Sequence, residues 1–333
     1  MNRDGIPDVL ALEPNAQLLE LYLGNGDGGF RGIGSGRAFS SSTWIRAWAL
    51  AVADFDGDGW LDVAVSGDDT AYAVLMGAGD GGFKPEVVTA LSHSDFIKDI
   101  ATADMNQDGN PDLILAIQTP DGGIISVLNG FGDGGFSDGT DLSAGSSAWA
   151  LAVQDLNGDG WPDILLAGDG VTAFLNLGDG GFSANHLAAG PYPTAMTVAD
   201  LNSDGALDLV VTEQSANTMG VLYGDGAGGF LPELTWNVPR VGRAVRVADF
   251  NGDGQLDIAA GLSSAPAGVA FLLGLGDGGF ASPYDLNGPG APMSMTTADM
   301  NGDGLADLIV GLNGAFGGLD LRVLTNSSAC AAP

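Results

Sequence analysis

Short apolar runs alternate with clusters of Gly, Asp and Asn along the whole chain. Ala49–Ala53, Leu61–Val65 and Ala73–Met76 are representative, each bounded by residues that favour turns. This punctuation predicts short strands, and no stretch carries the spacing of a long amphipathic helix. The runs beside the aspartate clusters are almost continuously apolar, as strands buried on both faces must be.

The pattern repeats. The string Asp-x-Asn/Asp-x-Asp-Gly-x-x-Asp starts at Asp54, Asp104, Asp155, Asp200, Asp249 and Asp299, at intervals of 50, 51, 45, 49 and 50 residues. A seventh copy opens the chain at Asn2 without its first aspartate. A second motif, G-x-G-G-F, alternates with the first at Gly26–Phe30, Gly79–Phe83, Gly132–Phe136, Gly178–Phe182, Gly226–Phe230 and Gly276–Phe280. About four strands in each repeat of roughly fifty residues predict an all-β, seven-bladed β-propeller of four-stranded antiparallel blades. The first and last blades are expected to be incomplete. Residues 1–333 read as one domain, with no linker or shift in composition.

The nine-residue loops gather carboxylates that repel one another unless a cation offsets them. Oxygen donors without His or Cys point to calcium. The side-chain ligands expected at positions one, three, five and nine follow the loops in order. They are Asn2, Asp4 and Asp8 in loop 1–8; Asp54, Asp56, Asp58 and Asp62 in loop 54–62; and Asp104, Asn106, Asp108 and Asp112 in loop 104–112. Asp155, Asn157, Asp159 and Asp163 serve loop 155–163, and Asp200, Asn202, Asp204 and Asp208 serve loop 200–208. Asp249, Asn251, Asp253 and Asp257 belong to loop 249–257, and Asp299, Asn301, Asp303 and Asp307 to loop 299–307. The position-seven carbonyl, that of Ala206 in loop 200–208, is a further oxygen ligand. Position six is glycine in every copy, where the tight turn calls for a positive φ.

An EF-hand needs a bidentate Glu at position twelve and flanking helices. Position twelve is apolar in every copy, from Ala11 and Val65 to Val310, so that reading is rejected. Solvated Asx turns are the plainer alternative. Six complete copies, each with its ninth aspartate, argue for metal. With the DxNxDGxxD loop and the downstream GxGxGGF hairpin in alternation, the chain resembles the FG-GAP/VCBS repeat proteins, whose propeller is similar to that of integrin α-subunits. The resemblance implies seven four-stranded blades, calcium between the first and second strands of each, and an extracellular location.

Composition sharpens this. Forty-two acidic against 10 basic residues give a net charge of −32, and 21 of the acids sit in the loops. Seven calcium ions would bring the charge to −18. Such a charge disfavours nucleic acid and anionic membrane surfaces. No apolar stretch reaches the roughly 18 residues of a membrane span, so direct membrane insertion is not expected. The single cysteine, Cys330, excludes an internal disulfide framework. Met1 fits the second position of a loop, so the chain is expected to begin inside a repeat, with the first strand and any secretion signal upstream.

Between repeats, the positions ahead of each loop vary most. Six residues before it stand Trp48, Lys98, Trp149, Thr194, Arg243 and Met293; eight before stand Arg46, Phe96, Ser147, Tyr192, Val241 and Ala291. These are expected in the connections opposite the calcium loops. There Arg46, Trp48, Lys98, Trp149, Tyr192 and Arg243 form a candidate ligand rim, joined by Asp68, Asp69, Asp121, Glu213 and Asn313 from hairpins on that face. The alternative is that Trp48 and Trp149 are core. His93 and His186 read as surface residues, and no Gly-x-Ser-x-Gly or HExxH motif occurs. The expected function is an extracellular calcium-binding module, monomeric as a domain, for a protein or carbohydrate ligand. The alternatives are the propeller of a polysaccharide-active enzyme, and a structural spacer.

Overall fold

The strands follow from the apolar runs, and the turns from the Gly/Asp clusters between them. The computed structural model describes residues 1–13, 18–31, 37–38, 47–67, 71–91, 96–145, 147–187, 189–190, 192–238, 240–264, 266–288, 290–313 and 319–326. Every regular element in them is a strand. The first sheet contains β1 (Val9–Glu13), β2 (Leu18–Gly24), β3 (Phe30–Arg31) and β4 (Arg37–Ala38). Both β3 and β4 pair with β2, at opposite ends of it. Five sheets then run in simple sequential order. They comprise β5 (Ala47–Ala53), β6 (Asp62–Gly67), β7 (Ala71–Leu75) and β8 (Val87–Ala90), then β9 (Phe96–Ala103), β10 (Asp112–Thr119), β11 (Gly122–Leu128) and β12 (Thr140–Ser143). Next come β13 (Ala150–Gln154), β14 (Asp163–Ala167), β15 (Val171–Asn176) and β16 (Phe182–Leu187), followed by β17 (Ala195–Ala199), β18 (Asp208–Glu213), β19 (Thr218–Leu222) and β20 (Leu234–Asn237). The fifth is β21 (Val241–Ala248), β22 (Asp257–Leu262), β23 (Gly268–Leu272) and β24 (Tyr284–Asn287). The last sheet has three strands, β25 (Pro292–Ala298), β26 (Asp307–Asn313) and β27 (Leu319–Leu324).

The architecture is an all-β propeller of antiparallel blades. Among the described residues six sheets are four-stranded and the last has three strands, so six complete blades stand where seven blades were expected; the last is incomplete as expected, whereas the first, also expected to be incomplete, has four strands. The reason is visible at the C-terminal end, where the last described strand, β27, completes only a third position.

The chain divides into two units, Met1–Asp4 with Leu10–Leu21 and Gly34–Leu187, and Gly5–Val9 with Tyr22–Ile33 and Ala188–Pro333. In the first unit β5, β9 and β13 lie beside one another. Phe55, Tyr72, Ile97, Leu113 and Leu115 form one core between two of its sheets. Ile114, Ile125, Ile164 and Phe174 form the next. In the second unit β17, β21 and β25 are neighbours in the same way. Val210, Met219, Val245 and Ile258 pack between the first two of its sheets, and Phe271, Met295 and Val310 between the next two. Middle strands such as β14 and β22 are buried at every residue, and the sheet of β22 has a neighbouring sheet on both faces. Outer strands such as β8 and β24 are mostly exposed.

Candidate functional site

Each acidic loop links the first strand of a blade to the second, and the ninth aspartate opens the second strand. Asp62, Asp112, Asp163, Asp208, Asp257 and Asp307 are completely buried. One oxygen of each accepts the backbone N–H of loop position two, for example Met105 to Asp112 Oδ2 at 2.8 Å and Met300 to Asp307 Oδ2 at 2.9 Å. The other accepts an N–H just past or at the end of the third strand, from Gly77, Gly130, Asn176, Gly224, Gly274 or Asn326. A single carboxylate thus ties three strands of its blade together. Burial pushes the carboxyls of Asp62, Asp112, Asp163 and Asp208 up, and that of Asp257 to about 6. In these five the two N–H donors pull the other way, and the neighbouring loop carboxylates add to the rise.

Close approach explains the first glycine of the hairpin motif. A Cβ on Gly130 would stand 2.3 Å from the carbonyl oxygen of Pro111, and one on Gly224 2.3 Å from that of Leu207. Loop position six is glycine for a different reason. Gly109, Gly160 and Gly205 each have φ near +90° with nothing within 4 Å of a Cβ, so backbone conformation sets the residue. Position four is also left-handed, at Arg3, Gln107 and Ser203 as well as at glycines, which the motif alone does not reveal.

Above the buried aspartate, positions one, three and five curl round the loop's own backbone. Position one accepts the glycine N–H, as from Gly109 to Asp104 at 2.9 Å and from Gly254 to Asp249 at 2.8 Å. Position five accepts the position-seven N–H, as from Ala206 to Asp204 at 2.8 Å. Where position three is asparagine its amide donates to the position-five carboxylate, as Asn106 does to Asp108 at 3.0 Å and Asn251 to Asp253 at 2.9 Å.

Loop 54–62 departs from this. With aspartate at position three, Asp54, Asp56 and Asp58 bring an oxygen each within 4.8 Å of one another. Asp54 Oδ1 is buried without a hydrogen-bond partner. A converging set of carboxylate oxygens with one orphaned and buried fits a hard divalent cation. Asp54, Asp56 and Asp58, with the carbonyl of Trp60 and the remaining lone pairs of Asp62, are the groups that could hold it. Bound there, the ion would neutralise the loop. The Arg3 guanidinium lies 4.0 Å over the Trp60 ring and covers this loop from the side.

At the other end of the inner strands the rim residues are exposed rather than packed. Trp48 is 53% and Trp149 43% exposed, which argues against the core alternative. Lys98 Nζ sits 4.9 Å from the Phe96 ring and 5.6 Å from that of Trp149, so one ammonium joins two aromatic faces. Several of these residues lie within the first strand, not in the connection expected from the sequence. Pairing of β5 with β6 slips between Ala47 and Leu50, and that of β9 with β10 skips Lys98. In the second unit, pairing slips between Val241 and Val245 around Arg243, and between Pro292 and Ser294 around Met293. Such bulges turn side chains out of the pleat. Tyr192, Arg243 and Met293 are exposed there.

Arg46, Asp68, Asp69, His93 and Cys330 lie outside the described residues, as does the Asn313 side chain. Asp121 is exposed, but Glu213, read from the sequence as a rim residue, is buried. It accepts a 2.5 Å hydrogen bond from the Thr218 hydroxyl, while its other oxygen has no partner. Glu233 reaches over Gly220, where a Cβ would collide with it. Burial, then the charge of Glu213, pushes Glu233 up to about 7, against a backbone N–H from Gly190. Sequence reasoning missed this pair because its glutamates lie 20 residues apart in no motif. His186 is exposed and hydrogen-bonded to Thr172 at 2.9 Å.

Solved structures of the same fold include BBS1N in its complex with ARL6DN, at 14% identity and a TM-score of 0.65 over 97% of this chain and 90% of that one. A putative 6-phosphogluconolactonase from Bacteroides fragilis matches with 14% identity and a TM-score of 0.63, over 98% and 97%. The rhamnogalacturonan lyase PL11 of Bacillus licheniformis matches with 15% identity and a TM-score of 0.50, over 84% of this chain and 56% of that one. At these identities they establish the fold alone. No curated protein matches the chain in sequence. Among the described residues no helix is long and apolar enough to cross a membrane. The FG-GAP-like repeat model matches six overlapping stretches, residues 1–65, 54–115, 108–166, 155–211, 200–260 and 249–310, and the chain therefore belongs to the FG-GAP-like repeat family.

Proposed function

We propose that the chain is an extracellular binding module in which calcium is a structural ion and recognition takes place at the opposite ends of the inner strands. The observation that carries this is the exposed pair Phe96 and Trp149 joined by Lys98, with Trp48 exposed at the equivalent position of the preceding repeat. Exposed aromatic side chains, Trp48 at a strand bulge and Phe96 and Trp149 at or just before the start of a first strand, offer faces that suit a sugar ring or the apolar core of a protein interface. The loops fit the calcium part of the reading through their all-oxygen donor sets and the orphaned oxygen of Asp54. Extracellular modules of this donor type bind calcium at about 10⁻⁴–10⁻³ M, matched to an exterior location.

A polysaccharide-active enzyme needs a carboxylate pair open to substrate. The pair that comes nearest, Glu213 and Glu233, keeps an oxygen of each side chain out of solvent. That favours the binding module. The test is affinity electrophoresis of the full chain through gels containing pectin, xylan or alginate, with the double variant Trp48→Ala/Trp149→Ala alongside. Retardation by one polymer that the variant loses, at unchanged melting temperature, supports a carbohydrate-binding rim. If no polymer retards the chain the carbohydrate-binding rim loses its support, and if the variant melts far lower the tryptophans are structural and the rim reading fails.

A further inference from the structure

The chain supplies its own controls, because the same loop is built six times in complete form. Five copies have asparagine at position three: Asn106, Asn157, Asn202, Asn251 and Asn301. One has aspartate, Asp56. The residue after the GGF turn varies likewise. It is Ser137, Ser183, Leu231 and Ala281 in four of the repeats with a complete loop, Lys84 in the repeat that contains Asp56, and Arg31 after the hairpin that follows the incomplete first loop. Among the repeats with a complete loop, the one acid at position three and the one base after the turn belong to the same repeat, and they meet. Lys84 Nζ lies 3.5 Å from Asp56 Oδ2 and 3.4 Å from Asp58 Oδ2, with its side chain about half exposed.

The contact replaces what the asparagine does elsewhere. In the five other loops the position-three amide donates to the position-five carboxylate at 2.8–3.1 Å. Asp56 has no proton to donate, and the ammonium of Lys84 takes the corresponding oxygen of Asp58. The charges also come into line. Asp54, Asp56, Asp58 and Asp62 less the charge of Lys84 leave −3, the same as Asp104, Asp108 and Asp112 with neutral Asn106. An ammonium and a divalent cation compete for the same outward oxygens.

We propose that Lys84 is a tethered counter-ion of loop 54–62, which a divalent cation displaces on binding, and that it holds this four-carboxylate loop near the affinity of its three-carboxylate siblings. The inference rests on the reading of the loops as calcium sites and adds the residue that tunes one of them. A lysine whose backbone is held to Met76 just past the hairpin turn costs the loop affinity while the ion is bound. It also limits self-repulsion while the ion is absent, so this loop tolerates calcium loss better than four bare carboxylates would.

The test uses Trp60, which occupies position seven of this loop. Terbium(III) is close to calcium in size and donor preference, and its emission is sensitised by a nearby indole. The full chain carrying Trp161→Phe, which removes the equivalent indole of loop 155–163, is titrated with terbium and back-titrated with calcium, with and without Lys84→Met. Removing one unit charge beside a multivalent ion in a water-like dielectric should lower the midpoint about tenfold. In an Asp56→Asn background the same lysine substitution should shift it less than about threefold, because the amide again occupies Asp58. Sensitised binding with equal midpoints for Lys84 and Lys84→Met would overturn the counter-ion role and leave the calcium reading standing. No sensitised emission that calcium displaces, in any variant, would sink both.

Discussion

The two ends of the inner strands are built under opposite rules. At the loop end the six complete repeats share one frame, a buried aspartate holding three strands and a left-handed glycine closing the turn above it, and loop 54–62 alone differs at position three. At the rim end the repeats share only the backbone, and their side chains are Trp48, Lys98, Trp149, Thr194, Arg243 and Met293 in turn. Where the backbone dictates the residue, repeats converge. Where it merely displays the residue, they are free to differ, and a surface that differs around a repeated frame is where recognition can be written.

Substitutions at the two ends should therefore behave differently. The largest effect is expected at the buried aspartates. Asp112→Ala leaves the N–H groups of Met105 and Gly130 without acceptors in the interior, at a cost of about 2–5 kcal/mol in urea unfolding. Unfolding at the wild-type urea midpoint would mean that the aspartate is not the pin of its blade. Next is Gly130→Ala, whose Cβ meets a backbone oxygen and should cost about 2–4 kcal/mol. Gly109→Ala meets nothing and strains only φ, for about 1–2 kcal/mol. Reversal of that order would show that the loops yield less readily than the hairpins.

A third contrast is in pH. Glu233 is raised to about 7 from an unperturbed value of 4.5, so the folded state binds the proton more tightly than the unfolded chain does. The stability this provides is complete below pH 4.5 and is lost as pH rises through 7. In saturating calcium the melting temperature should fall by a few degrees between pH 5 and pH 8, and Glu233→Gln should flatten that slope. An unchanged slope in the variant would assign the dependence to other groups. The smallest stability effect is expected at the rim, where Trp48→Ala should move unfolding by no more than about 0.5 kcal/mol while removing ligand contact.

Much of the loop end was legible in the sequence because its constraints are local. The run Ala49–Ala53 lies in β5 (Ala47–Ala53), Leu61–Val65 overlaps β6 (Asp62–Gly67), and Ala73–Met76 overlaps β7 (Ala71–Leu75). The glycines and aspartates mark positive φ and buried acceptors, which each act within a few residues. What escaped depends on distance. The bulges that turn Trp48 and Lys98 outward are a mismatch between two strands, and neither strand shows it alone. Glu213 looks like any hairpin carboxylate until Thr218 and Glu233 are placed beside it. Lys84 is an unremarkable residue after a turn, and its role appears only with Asp56 and Asp58 in reach. The strand count of the first blade escaped for a related reason, since an outer strand such as β8 or β24 is short, exposed and weakly patterned.

The claim on which the rest depends is that a cation holds the loop end together. Thermal unfolding by circular dichroism, with and without excess EGTA, combined with a calcium count by native mass spectrometry, tests it directly. A large fall in melting temperature with the loss of about six or seven ions is the expected result. A chain that melts at the same temperature in EGTA and never bound calcium would contradict the account, and its aspartate loops would be turns held by their own hydrogen bonds.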